Sequence, residues 1–348
     1  MKTIPKTMKA IILKANGDYD QLEYIKNYTC PIPKDNEVLI EVKAAGINNT
    51  DINTRIAWYS KNDNNASDAS WAGESLKFPR IQGADVCGYI VDIGKNIDSS
   101  RLGERVLIEP FLQKVNGKQL KNPWYFGSEC DGGFAQYTVV SNEHAYKIDS
   151  TYTDIELASF PCSYSTAENL LTRANVNQND IVLVSGASGG VGSAAVQLAK
   201  ARGAKVIAIT SPSKFNEIKS LGASQVISRH DDIVEILGEN SINVVIDLVA
   251  GESWSKFLEV LKCKGRYAVA GAIAGPIVEL DIRTLYLKDL SFFGCTVLET
   301  EVFGNLIKRI QNKDIKPLVA KTYPLENIID AQKEFLKKEH IGKIVLSI

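Results

Sequence analysis

One segment near the middle of the chain constrains the fold more than any other. It reads Ile181-Val-Leu-Val-Ser-Gly-Ala-Ser-Gly-Gly-Val-Gly192, an apolar run that leads into a cluster of glycines, and the helix-like stretch Ser193–Arg202 follows it. Apolar runs and helical segments then alternate as far as Arg266–Ala270. Such alternation is typical of a parallel sheet with helices on both faces. The sequence therefore predicts an α/β fold with a doubly wound parallel sheet.

The glycine cluster predicts a turn that binds a dinucleotide. Alanine stands in the first glycine position, and Gly189 and Gly192 follow at the expected spacing. Gly189 would let the backbone approach a pyrophosphate, which the free N–H groups at the helix N-terminus would bind. A tight turn with a structural role only is the alternative. The predicted cofactor contacts in this turn are Ala187, Ser188, Gly189, Gly190, Val191 and Gly192.

The end of the next strand favours NADPH over NADH. An acidic residue there would hold the ribose 2′-OH of NAD. Here the strand runs into Thr210-Ser-Pro-Ser-Lys214, and the next acid is Glu217. Hydroxyl groups and a lysine would accept a 2′-phosphate, whereas a carboxylate would repel it. Thr210, Ser211 and Lys214 are therefore predicted to contact NADP, the alternative being a solvated loop that happens to lack an acid.

The first third of the chain has a different pattern. Short β-branched runs bounded by turn residues, such as Met8–Lys14 and Glu37–Ala44, predict a β-rich domain. Two polar stretches, Trp58–Pro79 and Leu112–Asp131, are predicted loops.

Composition argues against several other classes of protein. The 348 residues are 45% hydrophobic and 23% charged, with a net charge of −1, which gives no support for a nucleic-acid-binding surface. The six cysteines are widely spaced, as expected for reduced thiols rather than disulfides. The longest uncharged stretch, Ile181–Ala199, contains four glycines and is a poor membrane span. We expect a cytoplasmic protein with a small-molecule substrate and neither nucleic acid nor membrane as partner.

Motifs over nearly the whole chain resemble one family. They are Val42-Lys-Ala-Ala-Gly-Ile-Asn-Asn-Thr-Asp51, Gly83-Ala-Asp-Val-Cys-Gly88, Val91-Asp-Ile-Gly94, Gly132-Gly-Phe-Ala-Gln-Tyr137, Pro161-Cys-Ser-Tyr-Ser-Thr-Ala167, the glycine turn, and Gly342-Lys-Ile-Val-Leu346. With them the chain resembles the medium-chain dehydrogenase/reductase superfamily, in its zinc-free quinone oxidoreductase-like branch. The resemblance implies a GroES-like β-barrel at residues 1–152, a Rossmann domain at 153–295 and a segment at 296–348 that packs on the barrel.

The zinc-dependent alcohol dehydrogenases of this family are similar but need ligands that this chain lacks. By resemblance, their first cysteine falls at Asn48 and their histidine at Ala84, so that only Cys162 stands where a ligand would be. Catalytic zinc needs three protein ligands. We therefore predict that the chain holds no metal.

Without a Lewis acid, nothing stabilises the alkoxide that forms when an unactivated alcohol is oxidised. Reduction of a C=C bond conjugated with a carbonyl needs only hydrogen-bond donors for the enolate. The resemblance places Asn48 near the nicotinamide and the substrate, where its amide could donate to a carbonyl. Thr50 and Asp51 are the other predicted catalytic residues, Asp51 as one that orients the loop. A turn asparagine and a capping aspartate are the alternatives.

The resemblance also implies cofactor contacts outside the glycine turn. Ser165-Thr-Ala-Glu168 is predicted to be a capping box that opens a helix, with Thr166 facing the pyrophosphate or the nicotinamide ribose. Arg229 is predicted near the adenosine phosphate. The other predicted contacts end later strands or lie in the C-terminal segment: Ala250, Gly271, Ala272, Ile273, Phe293, Gly294 and Lys343.

These observations predict an NADPH-dependent oxidoreductase that transfers hydride to a quinone or an α,β-unsaturated carbonyl without zinc. A zinc-independent alcohol dehydrogenase or a thioester enoyl reductase stays open, as does a non-enzymatic NADPH-binding protein with a structural or regulatory role. In this family the last Rossmann strand commonly pairs with that of a partner, and Ser291–Leu298 is apolar enough to do so. A homodimer is predicted, with a tetramer as the alternative.

Overall fold

The computed structural model describes residues 3–60 and 75–348. They divide into two compact units. The β unit consists of Met1–Cys162 and Pro317–Ile348, and the α/β unit consists of Ser163–Lys316. The β unit is therefore built from two separate stretches of chain.

Strands and helices are numbered in chain order. The strands are β1 (Thr7–Leu13), β2 (Leu22–Thr29), β3 (Glu37–Gly46), β4 (Asp85–Ile93), β5 (Arg105–Ile108), β6 (Phe111–Val115), β7 (Lys118–Tyr125), β8 (Tyr137–Ser141), β9 (Ala145–Lys147), β10 (Ile181–Val184), β11 (Lys205–Thr210), β12 (Gln225–Ser228), β13 (Ile242–Asp247), β14 (Leu261–Val269), β15 (Ser291–Gly294), β16 (Val319–Pro324) and β17 (Lys343–Ser347). The helices are α1 (Asn49–Arg55), α2 (Asp154–Leu157), α3 (Pro161–Arg173), α4 (Gly190–Ala201), α5 (Phe215–Ser220), α6 (Ile233–Leu237), α7 (Trp254–Val260), α8 (Ile282–Leu287), α9 (Val302–Gln311) and α10 (Ile328–Leu336).

The unit boundaries differ from the predicted domain boundaries after residues 152 and 295. α9 stays with the α/β unit, where its apolar face is buried. The chain leaves this unit only after Lys316, whose carbonyl accepts from Tyr164 Oη at 2.7 Å and whose N–H donates to Gln197 Oε1 at 2.9 Å. The C-terminal stretch that belongs to the β unit is therefore shorter than the predicted 296–348.

The α/β unit is built on a six-stranded sheet in which all neighbouring strands are parallel. The strand order is β12-β11-β10-β13-β14-β15. The central strands β10 and β13 are almost entirely buried, which explains their continuous apolar runs. The chain changes direction across the sheet between these two strands, and open α/β sheets bind ligands at the carboxyl ends of such strands. The predicted doubly wound parallel sheet is confirmed.

The β unit is built around a mostly antiparallel sheet. Its strand order is β16-β17-β3-β4-β5-β9, and β8 also pairs with β3. Successive residues of β3 point to opposite faces, so that Leu39 packs into one hydrophobic cluster with Ile344, whereas Val38 and Ile40 pack into another with Phe126. β17 joins the sheet beside β3 and carries the C-terminal end of the chain into the core.

The prediction of a loop at Leu112–Asp131 was wrong. β6 and β7 form an antiparallel hairpin there, closed by Asn116 and Gly117, whose φ angles are +50° and +77°. An Asn-Gly pair between two strands is a strong hairpin signal, because both residues tolerate positive φ. The polar side chains around it obscured that signal. The other predicted loop, Trp58–Pro79, falls partly on residues 61–74, which lie outside the described residues.

Within 3–60 and 75–348, no helix has both the length and the apolar character needed to cross a membrane. The longest helix there, α3, has 13 residues.

Candidate functional site

Four buried polar side chains meet at the end of β3. Asn48 and Asp51 follow that strand, Asp85 begins β4 and Lys343 begins β17. None of the four is more than 5% exposed. The sheet brings them together because Gly46, at the end of β3, pairs with Asp85 on one side and lies beside β17 on the other. A Cβ on Gly46 would lie 2.6 Å from Asp85 Oδ2, so only glycine leaves room for this carboxylate.

Lys343, Asp85 and Asn48 form a closed ring of hydrogen bonds. Lys343 Nζ lies 2.7 Å from Asp85 Oδ2 and also donates to Asn48 Oδ1. Asn48 Nδ2 donates to Asp85 Oδ2 at 2.9 Å. The second oxygen of Asp85 accepts from the backbone N–H of Cys162. The buried carboxylate and the buried ammonium are thus paired and hydrogen-bonded, as buried charges must be.

The amide of Asn48 is engaged on both sides. Its oxygen accepts from the lysine and its nitrogen donates to the aspartate, an orientation that the two opposite charges impose. Its predicted donation to a substrate carbonyl stays a prediction.

Asp51 caps α1 and holds the neighbouring loop. Its carboxylate accepts from the N–H groups of Asn48, at 2.7 Å, and Gly83, at 3.3 Å. Burial raises the pKa of this carboxyl to about 7, although the backbone hydrogen bonds and the Lys343 charge act in the opposite direction. Beside it, the buried hydroxyl oxygen of Thr50 has no hydrogen-bond partner within the described part of the chain. Asp51 therefore makes the contact expected of a capping aspartate, which is the alternative to a catalytic role.

Cys162 lies at the other side of Asp85. Its sulfur is 2.7 Å from Tyr125 Oη. Burial raises the pKa of the Cys162 thiol to about 12, which keeps it neutral at physiological pH. Nearby, Asn53 Nδ2 lies 3.4 Å from Tyr59 Oη, and the Tyr59 ring packs edge-on against Trp58. These two aromatic rings are therefore in contact with each other.

The glycine turn lies between β10 and α4, as predicted. A Cβ on Gly192 would lie 2.2 Å from the carbonyl oxygen of Gly186, so the close contact of helix and strand requires glycine there. A Cβ on Gly189 would meet nothing closer than 3.6 Å. Gly189 is the N-cap of α4, and no side chain caps this helix start. The turn leaves open the N-terminal side of a 12-residue helix, where an anion is favoured.

The segment after β11 is only partly solvated: Pro212 and Ser213 are exposed, whereas two of the predicted contacts, Thr210 and Lys214, are buried. Thr210 is only 4% exposed, and its hydroxyl oxygen has no hydrogen-bond partner among the described residues. Lys214 is also buried, with Nζ 3.4 Å from the hydroxyl of Ser188 in the glycine turn. The backbone carbonyl of Ser211 accepts from the backbone N–H of Lys214 at 3.0 Å. The N–H of Arg229 bonds to the Thr210 carbonyl, but its guanidinium is exposed.

The remaining predicted contacts of this unit follow β13 and β14 or lie in β15. Ala250 has a φ of +54°, a conformation that alanine rarely adopts, and its N–H is held by the buried carboxylate of Asp247. The loops after β13 and β14 are joined by a 2.9 Å hydrogen bond from the N–H of Ala274 to the carbonyl of Val249. Gly271, Ala272 and Ile273 lie in the second of these loops, and Phe293 and Gly294 lie in the edge strand β15.

The predicted capping box at Ser165–Glu168 was wrong. These residues lie inside α3, which begins at Pro161. Proline favours the first position of a helix, because its missing N–H is not needed there and its φ angle is already helical. Thr166 is partly exposed, whereas its neighbours from Pro161 to Leu170 are buried. Sequence reasoning also gave no role to Tyr125, which no local pattern singles out.

Comparison with known proteins identifies the family. Residues 34–150 match the model of the alcohol dehydrogenase GroES-like domain, and residues 190–312 match the zinc-binding dehydrogenase model. A candidate alcohol dehydrogenase from Sinorhizobium meliloti is 41% identical, and its crystal structure aligns with a TM-score of 0.92 over 99% of this chain and 97% of that chain. The chain belongs to the medium-chain dehydrogenase/reductase superfamily. The predicted fold class, with a GroES-like and a Rossmann-type part, is confirmed.

Two further relatives are named as oxidoreductases. Human quinone oxidoreductase is 28% identical over 360 residues, which cover 99% of each chain. An NAD-dependent alcohol dehydrogenase from Sulfolobus acidocaldarius is 28% identical over 98% of this chain and 100% of the relative. The chain is an oxidoreductase of the quinone oxidoreductase-like branch.

The residues present do not fit the zinc that one family model names. Across residues 3–60 and 75–348, no three His, Cys, Asp or Glu side chains come together as ligands for a metal ion. Asp85 is paired with an ammonium group, and the Cys162 thiol is held in its neutral form by burial. Of the three positions where the zinc enzymes of this family place ligands, Asn48 and Ala84 carry no ligand side chain and only Cys162 does, so we derive no metal-assisted step.

The residues do fit a dinucleotide. The open backbone at Gly189, the uncapped start of α4 and the unpartnered buried hydroxyl of Thr210 are polar groups that a ligand would satisfy. Lys214 Nζ, 3.4 Å from the hydroxyl of Ser188 in the glycine turn, adds a positive charge to these groups.

Proposed function

We propose that this oxidoreductase uses NADPH to reduce quinones or α,β-unsaturated carbonyl compounds and needs no metal. Bound NADPH would supply the hydride. The glycine turn would bind the pyrophosphate, and Thr210, Ser211 and Lys214 would bind the 2′-phosphate, with Arg229 available at the rim. The β unit would bind the carbonyl oxygen and stabilise its developing charge.

The pairing of Lys343 with Asp85 is the observation that supports a reaction without a metal. An ammonium group 2.7 Å from the carboxylate excludes a cation from the same oxygen by charge repulsion and by volume. A conjugated carbonyl needs only hydrogen bonds to its oxygen as it becomes an enolate, whereas an unactivated alcohol has no such route. The absence of room for a cation at Asp85 and the modest needs of a conjugated carbonyl together favour reduction of an activated C=C bond.

The observation that supports NADPH is the position of Lys214. Its ammonium group is buried against the glycine turn, and no carboxylate follows Thr210 at the end of β11. A 2′-phosphate would meet a lysine and hydroxyl groups there.

An absorbance assay of NADPH oxidation tests this function. The panel contains a benzoquinone, a cyclic enone, an enoyl thioester and, in the reverse direction with NADP, a primary alcohol. We expect turnover with the quinone or the enone and none with the alcohol. Turnover of the thioester alone, or of the alcohol alone, would establish one of the two alternative enzymes. Tight NADPH binding without turnover of any compound would favour a regulatory or structural role.

We also propose that the chain forms a homodimer through β15. This strand is an edge of the α/β sheet, and its neighbourhood exposes large apolar side chains. They are Ile273, Ile277, Ile282, Tyr286, Leu287 and Val297. An exposed edge beside apolar side chains is expected to be covered by a partner.

A further inference from the structure

The ammonium group of Lys343 has one hydrogen without an acceptor. An ammonium carries three N–H donors. Within residues 3–60 and 75–348, Nζ has two hydrogen-bond acceptors, Asn48 Oδ1 and Asp85 Oδ2. The side chain is only 2% exposed, so bulk water does not readily satisfy the third donor. A charged donor left without an acceptor in a buried site is costly, and such a donor indicates the position of a ligand oxygen.

We propose that Lys343 Nζ donates this third hydrogen bond to the carbonyl oxygen of the substrate, so that Lys343 is the electrostatic catalyst of the β unit and Asn48 and Asp85 are its positioning residues. This inference rests on the proposed function and names the group that stabilises the enolate.

The ring of hydrogen bonds explains why the lysine and not the asparagine has this role. Asn48 uses its oxygen on Lys343, and its nitrogen donates to Asp85 and also to the backbone carbonyl of Gly46 at 3.5 Å, so its amide is committed to holding its neighbours. Asp85 is held in turn by the backbone N–H of Cys162. These contacts fix Nζ in one place before a substrate arrives, and a preorganised donor stabilises developing charge without reorganisation.

The reaction balances with this assignment. The hydride supplied by bound NADPH forms a C–H bond at the β-carbon, while the C=C electron pair moves toward the α-carbon and the C=O pair moves onto oxygen. The cofactor is oxidised by two electrons, and the substrate becomes an enolate. The ammonium group stabilises the enolate oxygen and keeps its proton. A proton from water then adds to the α-carbon and restores the carbonyl.

A chromophoric enal tests the contact without any cofactor. The absorption band of para-dimethylaminocinnamaldehyde moves to longer wavelength when its carbonyl oxygen accepts a strong, charged hydrogen bond. We expect this shift when the aldehyde binds to the wild-type protein. The shift should disappear in Lys343→Met/Asp85→Asn, which removes both charges together and so leaves no buried charge unpaired.

Turnover gives the second measurement. In the double variant, kcat for enone reduction should fall by about 100-fold or more, with KM changed by less than about threefold, because the lost interaction is made mainly in the transition state. Lys321→Met is the matched control: Lys321 lies on the neighbouring strand β16 and forms an exposed ion pair with Glu334, so its loss should change neither the band nor kcat.

Lys343→Arg keeps the proposal testable if the neutral double variant does not fold. The arginine retains the charge beside Asp85 but moves the N–H groups, so we expect an altered band position and a kcat reduced by at least about tenfold. The proposal would be overturned if the absorption band of the bound aldehyde did not shift in the wild type. It would also be overturned if either Lys343 variant kept both the band position and the kcat of the wild type. If the wild-type protein shifts the band yet oxidises no NADPH with any acceptor, the proposed function fails while the Lys343 contact stands.

Discussion

The ammonium nitrogen of Lys343 lies 2.7 Å from Oδ2 of Asp85, and neither side chain is more than 2% exposed. Removing one partner of a buried ion pair leaves a charge uncompensated and costs about 3–5 kcal/mol. We expect Lys343→Met to lower the free energy of unfolding by this amount. Lys343→Met/Asp85→Asn should lose less than half as much. Urea unfolding followed by tryptophan fluorescence measures both, and equal losses would show that packing of the lysine chain matters rather than charge.

Asp51 should make stability fall as pH rises from about 4 to about 7. The unfolded carboxyl releases its proton near its ordinary pKa of 3.8, whereas burial keeps the folded carboxyl protonated up to about 7. The folded state therefore binds more protons in this window, and its stability decreases with pH by up to about 1.4 kcal/mol per unit. Above this window the carboxyl is ionised in both the folded and the unfolded state, so its contribution to the free energy of unfolding no longer changes with pH. Unfolding of wild type and Asp51→Asn at several pH values should show their difference in stability declining across the window; a constant difference would contradict this.

NADPH should bind more tightly than NADH. One charge-assisted contact is worth roughly 1.5–3 kcal/mol, or about tenfold to a hundredfold in affinity. Lys214→Ala should weaken NADPH binding by this factor and leave NADH nearly unchanged, because only the 2′-phosphate loses a partner. Thr210→Asp should penalise NADPH by charge repulsion. Cofactor fluorescence titration measures the affinity of the wild type and of both variants for each cofactor.

Lys219→Ala is the control for this experiment, since Lys219 is an exposed lysine on the adjacent helix α5. It should leave both cofactors unaffected. Equal affinities for NADPH and NADH in the wild type, or a Lys214→Ala loss shared by the two, would contradict the assignment of this loop.

Purified protein should contain no stoichiometric zinc. Asn48 and Ala84 replace two of the expected ligands, and no three His, Cys, Asp or Glu side chains come together within residues 3–60 and 75–348, so the site offers no ligand set. Elemental analysis after purification without chelators measures the metal content, and enone reduction should survive incubation with a chelator. One tightly held zinc per chain, together with activity that a chelator abolishes, would show that the site has been misread.

If the proposed dimer forms through β15, substitution of two exposed isoleucines should affect the oligomeric state differently. Ile282, near the edge strand β15, is 60% exposed, and Ile32, in the β unit, is 84% exposed. Ile282→Glu should shift the protein toward monomer, because a carboxylate would be buried at the interface. Ile32→Glu should leave the mass unchanged. Light scattering at micromolar concentration measures this, and a wild-type monomer would rule out the dimer.

The α/β unit was predictable because its signals are local. Each buried strand is a short apolar run, and several helices end close to a glycine, as at Gly203 after α4, Gly222 after α5 and Gly238 after α6. The same locality placed Thr210 and Lys214 at the end of β11. What the sequence did not reveal there is that both side chains are buried, since a Ser-Pro-Ser stretch is equally typical of a solvated loop.

The ring of hydrogen bonds among Lys343, Asp85 and Asn48 was not predictable from local patterns. Asn48 and Lys343 are 295 positions apart, and only the pairing of β17 with β3 brings their side chains into contact. Resemblance to the family predicted Asn48 as a catalytic residue and Lys343 as a cofactor contact, and neither prediction implied that the two side chains contact each other. The hairpin at Asn116-Gly117 is a different case, because its signal was local and was outweighed by the polar residues around it.

The division of the β unit into two stretches of chain has a consequence for synthesis. The α/β unit is continuous, so all of its strands have left the ribosome well before the last ones of the β unit. β3 emerges early, yet its neighbour β17 is made some three hundred residues later. Until then the Ala44–Gly46 end of β3 lacks its partner strand, and the carboxylate of Asp85 lacks its lysine. Completion of the β sheet and formation of this buried ion pair are therefore a single late event, and any ribosome that stops before Lys343 releases a chain that lacks both.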